Sequence, residues 1–102
     1  MSEQMKIKRH FIAEMSIYKF GAVEGLTMEV HERPHSEESH ARFYAHFEDA
    51  EVKDGSILCG TYGDGRTERE AIHNYAKAIS LKTLVIDAMG DKRREVQVPR
   101  LA

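Results

Sequence analysis

The stretch HERPHSEESH places His31, His35 and His40 beside Glu32, Glu37 and Glu38. Imidazole nitrogens and carboxylate oxygens are the donors of a zinc site, which needs three or four of them in fixed geometry. The H-x-x-x-H spacing would align two rings on a helix, but Pro34 and the strand patterns on either side argue against a helix here. The stretch therefore reads as a polar hairpin loop without a bound metal, since nothing fixes the ligands.

Other chemistry is no better assembled. Cys59 sits in the apolar run SILCGTY and reads as a small packed hydrophobe rather than a nucleophile. As the single cysteine it makes no internal disulfide, which points to a reducing, cytoplasmic setting. No G-x-S-x-G nucleophile turn occurs. Glu48 and Asp49 are adjacent in a strand pattern, so they face opposite ways and cannot share a substrate. The expectation is a protein with no catalytic residue, no cofactor and no metal, and so not an enzyme.

The turn GDGRTE, from Gly63, poses the question of phosphate binding. A dinucleotide loop needs G-x-G-x-x-G and a Walker loop needs G-x-x-x-x-G-K-[ST]; this turn lacks both the third glycine and the lysine. Asp64 and Glu68 would also repel a phosphate. Thr67 followed by Glu70 instead forms a capping box, with the hydroxyl accepting from the Glu70 amide and the carboxylate reaching back to the Thr67 amide. Gly63 and Gly65 would supply freedom for a tight strand-to-helix turn.

The elements that must position these residues follow from periodicity. Met5, Ile7, Phe11, Ala13, Met15 and Ile17 alternate with mostly polar neighbours, which predicts a long strand over 5–17 with Arg9 as its main exception. Gly21 and Gly25 mark a turn. Leu26, Met28 and Val30 predict a strand over 25–32. Ala41, Phe43, Ala45 and Phe47 predict a third, over 41–49. Ala71, Ile72, Tyr75, Ala78 and Ile79 switch to helical spacing over 68–80. TLVIDAM and REVQVP read as a C-terminal strand pair. The expected class is α+β in a single domain over 1–102: an antiparallel meander with one amphipathic helix packed on one face. The expected core is Ile7, Phe11, Met28, Val30, Phe43, Phe47, Ile72, Tyr75, Ile79 and Ile86.

The segment from Gly63 to Ile79, GDGRTEREAIHNYAKAI, resembles the helix entry of HicB-like antitoxin domains. Thr67, Glu70, Ala71, Asn74, Ala78 and Ile79 carry the likeness, and RFYAHFEDAEV resembles the strand before it, so the similarity spans about residues 41–80. It implies a double-stranded-RNA-binding-like α+β fold and a protein that binds and blocks a small ribonuclease toxin. Many members carry a separate DNA-binding domain after the helix. Here LVIDAMGDKRREVQVPRLA follows, so repressor function is not expected. The small acidic format is also similar to short phage-encoded proteins that block host nucleases, such as anti-CRISPR proteins.

Composition and charge narrow the partner. The formal charge of −2 gives no general attraction to nucleic acid or anionic membranes. No apolar run is long enough to span a bilayer, and MSEQMKIKRHF lacks the apolar core of a secretory signal. The sheet's second face would carry Lys6, Lys8, His10, Ile12 and Glu14, then Thr27, Glu29 and His31, then Arg42, Tyr44, His46 and Glu48. The acidic stretch holds Glu48, Asp49, Glu51 and Asp54. The expected function is a non-catalytic protein-binding inhibitor, antitoxin-like or anti-CRISPR-like. Arg42, Tyr44 and His46 would contact the partner, and the four acids would stand in for phosphates at a basic nuclease groove. A homodimer through the edge strand REVQV is part of that expectation. The alternative is an RNA- or DNA-binding module using the polar sheet face and the basic ends.

Overall fold

The computed structural model describes residues 3–8, 12–34 and 41–102. Among these the α+β class holds, with two helices and seven antiparallel strands in two sheets. The first sheet has the order β1–β2–β5, from Met28–Glu32, Phe43–Phe47 and Gly63–Gly65. The second has the order β4–β3–β6–β7, from Ile57–Cys59, Ala50–Asp54, Thr83–Ile86 and Arg94–Gln97. No helix among the described residues is long and apolar enough to cross a membrane.

The predicted strand over 5–17 does not form. Residues 3–8 and 12–14 are outside any strand, Met5 and Ile7 are largely exposed, and Met15 makes one isolated parallel bridge to Leu101. Phe11 and His10 lie outside the described residues. Alternation makes a strand only where another strand completes its ladder, and none of the described strands pairs with residues 3–8. Ser16 instead caps a helix, α1 (Ile17–Glu24), by accepting from the Lys19 amide at 3.1 Å. The supposed turn at Gly21 is interior to this helix. Gly21 is small because the Phe47 ring lies against it, where an added Cβ would sit 3.0 Å from Cε1. Gly25, at φ 68°, ends the helix, and the Leu26 amide closes on the Gly21 carbonyl.

The acidic stretch is a turn followed by a strand. Glu48 and Asp49 form the turn that carries the chain from β2 into the second sheet, with Asp49 at φ 58°. Beyond it Ala50–Asp54 is strand β3, whose Val52 is buried against Leu84 of β6. The C-terminal strand pair is thus half of a four-stranded sheet.

Helix α2 (Glu68–Ile79) lies across β2 and β5. Thr67 Oγ1 accepts from the Glu70 amide at 3.1 Å, as the capping box requires, but the Glu70 carboxylate accepts from the Arg66 amide at 3.3 Å. Gly63 and Gly65 serve close approach rather than left-handed backbone. A Cβ on Gly63 would stand 2.1 Å from the Tyr75 nitrogen, and one on Gly65 2.3 Å from the Ala71 nitrogen. Asn74 Nδ2 ties the helix to β5 by donating to the Asp64 carbonyl at 2.6 Å.

The core gathers Ile17, Phe20, Ala45, Phe47, Val52, Tyr75, Ile79 and Leu84. Ile72 and Ile86 join it as expected, while Met28, Val30 and Phe43 are half-buried at its margin and Ile7 is outside it. The parity of β2 is as predicted, with Ala45 and Phe47 inward and Tyr44 and His46 half-exposed on the other face.

Candidate functional site

Alternation puts Glu29 and His31 of β1 on the face that β2 fills with Tyr44 and His46. The antiparallel register sets Glu29 opposite His46 and His31 opposite Tyr44. The rings stack. His31 lies 4.6 Å from Tyr44 at 14° and 5.3 Å from His46 at 15°. Tyr62, in the link between β4 and β5, meets Tyr44 edge-on at 5.8 Å. Arg33 continues the parity of Glu29 and His31, and its guanidinium sits 4.5 Å from the Tyr44 centroid. Asp64 of β5 holds that guanidinium at 2.7 Å, and the Ala41 carbonyl accepts from the same nitrogen. The Asp64 hydrogen bond raises the Arg33 pKa, against partial desolvation that lowers it, so the cation is permanent.

Glu29 is the hinge of the face. Its Oε2 lies 3.3 Å from His31 Nε2 and 3.6 Å from His46 Nε2. His46 Nδ1 is 3.1 Å from the Phe47 carbonyl oxygen.

Beside the rings, where the two sheets diverge, lies an open cleft of about 530 Å³. Tyr44, His46 and Tyr62 line it together with Asp49, Glu51, Asp87 and Met89. Its described lining contains three carboxylates and no lysine or arginine. Asp49 and Asp87 both adopt left-handed backbone, at φ 58° and 52°, and are joined by a hydrogen bond from the Asp87 amide to the Asp49 carbonyl. Asp87 Oδ2 accepts from the Lys92 amide. Among the described residues neither Asp49 nor Glu51 has an ion-pair partner.

The structure divides the residues that the sequence grouped. Tyr44 and His46 share the ring face and the cleft, and Asp49 and Glu51 join them. Glu48 is exposed in the turn. Asp54, three positions beyond Glu51, stands on the opposite face of β3 beside a different hollow, with Val52, Cys59 and Lys82. Arg42 precedes β2 and donates to Glu32 from Nε and Nη2 at 2.9 and 2.5 Å. Lys6 and Lys8 are exposed outside any sheet, and Arg94 is bound by Glu24. Cys59 is exposed rather than packed, because β4 is a three-residue edge strand that half-buries only Leu58.

Arg33, Tyr62 and Asp64 are the residues that periodicity missed. Arg33 was legible as the next odd position after His31; the other two reach the face only because β5 pairs with β2. His31 to His35 also spells H-E-x-x-H, which holds zinc on a helix. His31 and Glu32 are in strand β1 instead, so that helical geometry is absent, and His35 and His40 lie outside the described residues. No protein-family model, curated protein or solved structure matches this chain.

Proposed function

We propose that this protein is a non-catalytic protein-binding inhibitor, antitoxin-like or of the kind that blocks a nuclease complex, and that it receives a basic side chain of its partner in the cleft beside Tyr44 and Tyr62. The observation that carries this reading is the cleft lining itself: two tyrosine rings, the carboxylates of Asp49, Glu51 and Asp87, and no lysine or arginine. Carboxylates attract an arginine or lysine over several ångströms and speed its encounter. Tyrosine faces then hold it by cation–π contact worth about 0.5–2 kcal/mol. Arg33 already uses the Tyr44 ring in this way within the chain. Met89, fully exposed at the rim, is the type of side chain enriched at interfaces. The nucleic-acid groove of a nuclease is basic, which fits such a cleft, and the likeness of Gly63–Ile79 to HicB-like domains supports the same class. Strand β7 is an edge, and pairing two copies along it is the route to a dimer.

The stacked set of His31, Tyr44 and His46 beside Arg33 favours one second reading, single-stranded nucleic acid with bases laid on the rings. The three carboxylates next to it oppose the phosphates that such a strand would bring. Amide NMR titrations distinguish the two. An arginine-rich dodecapeptide is expected to shift Asp49, Glu51 and Tyr62 saturably, and Asp49→Lys with Glu51→Lys to remove the shifts, while Asp54→Lys leaves them. An oligouridine of the same length is expected to leave the spectrum unchanged. Saturable oligouridine binding with a salt slope, and none by the peptide, would reverse the assignment.

A further inference from the structure

The ring face contains a second arrangement, which shares only His46 with the cleft. From its geometry we infer that Glu29, His31 and His46 form a binding site for a divalent transition metal of the zinc class, with a coordination position left open to solvent.

The three donor atoms converge. One carboxylate oxygen of Glu29 and one ring nitrogen each of His31 and His46 all lie within 4.8 Å of one another. Zinc takes imidazole nitrogen and carboxylate oxygen at about 2.0–2.2 Å, so tetrahedral neighbours stand about 3.3 Å apart. The carboxylate oxygen is 3.3 and 3.6 Å from the two nitrogens, at or near that spacing. Two histidines and one carboxylate are a donor set that zinc uses with an open fourth position.

The hydrogen bonding of His46 provides an independent reason. A carbonyl oxygen only accepts, so the contact to the Phe47 carbonyl assigns the donor hydrogen to Nδ1. In the tautomer with its hydrogen there, Nε2 is the ring atom that offers a lone pair, and it lies 3.6 Å from the Glu29 carboxylate oxygen. A backbone carbonyl behind the far ring nitrogen is also the outer support that metal-binding histidines use to fix tautomer and orientation.

The scaffold suits the role. Glu29 and His31 alternate on β1, and the register locks His46 opposite Glu29, so the donors sit on paired strands rather than on a loop. Each side chain is 28–42% exposed, which leaves an entry path for the ion.

The test is calorimetric titration of the metal-stripped protein with zinc chloride, together with visible absorption on adding cobalt(II). One equivalent should bind with a micromolar Kd, and cobalt should give ligand-field bands of a nitrogen–oxygen site. His46→Ala and Glu29→Gln should each weaken zinc at least tenfold, while His35→Ala with His40→Ala should leave it unchanged. Glu29→Gln preserves shape, so it decides the matter if His46→Ala fails to fold. A wild-type Kd above 1 mM, or binding that survives in Glu29→Gln and moves with His35 and His40, would overturn the assignment.

Discussion

Phe47 and Tyr44 stand three residues apart on β2, facing opposite ways, and both are surrounded by rings. Phe47 is 2% exposed, 6.0 Å from Phe20 and 5.5 Å from Tyr75. Tyr44 is half-exposed among His31, His46, Tyr62 and Arg33. The contact types are alike and the solvent is not. On the inner face water is excluded, so each contact adds burial that unfolding must undo. On the outer face every partner keeps access to water, so its contacts contribute little to stability and can be exchanged for a ligand's. The same strand is scaffold on one side and binding surface on the other.

Truncating the two rings tests that division most directly. Phe47→Ala should cost about 3–5 kcal/mol, from lost transfer energy plus the cavity between α1, β2 and α2. Tyr44→Ala should cost below about 1 kcal/mol, the scale of an exposed cross-strand pair. Urea unfolding of both variants measures it, and equal losses would erase the distinction between the faces.

The next largest effect concerns how closely α2 lies on the inner face. Gly63→Ala should destabilise by about 3 kcal/mol or more, because the new methyl meets backbone rather than a side chain that can swing aside. An alanine tolerated within about 0.5 kcal/mol, the range of a neutral surface change, would return these glycines to a role in turn flexibility.

Thr67→Ala follows, with a loss of about 0.5–2 kcal/mol through the missing cap on the Glu70 amide. It leaves the cleft residues in place, so peptide shifts at Asp49 and Tyr62 should persist in this variant. Their disappearance would tie the helix entry to binding.

These elements also mark where sequence reading works. The helix over 68–80 and the strand over 41–49 were legible because apolar spacing, a cap and a parity all agreed within one short stretch. The strand over 5–17 failed on a non-local condition, the presence of a partner strand. β3 was hidden by its charges: Glu51, Lys53 and Asp54 mask the buried Val52, and the switch between sheets depends on Asp49 adopting φ 58°. Tyr44 and His46 were found by parity alone. Asp87 and Met89 were not, because the β6–β7 loop that carries them reaches Tyr44 and His46 only after β3 and β6 have paired. Glu29, His31 and His46 were each visible on the polar face, yet their convergence needed the register of β1 on β2.

The smallest loss expected on the inner face at neutral pH is also the one with a pH signature. Tyr75 is 1% exposed, and burial raises its phenol pKa, with a hydrogen bond to the Phe47 backbone offsetting part of the rise. The folded state therefore holds this proton more tightly than the unfolded chain, whose tyrosines titrate near about pH 10. A raised pKa contributes stability that is fully present below the unfolded value and is lost as pH climbs through the folded value. Tyr75→Phe should cost about 0.5–1.5 kcal/mol at pH 7, the worth of one hydrogen bond. Above pH 10 the wild type should lose stability that Tyr75→Phe keeps, so their urea midpoints should converge. If wild type and Tyr75→Phe decline in parallel from pH 9 to 11, ionisation of Tyr75 is not coupled to unfolding, and the contrast between a dry face and a wet one fails at the residue where it is most exposed to test.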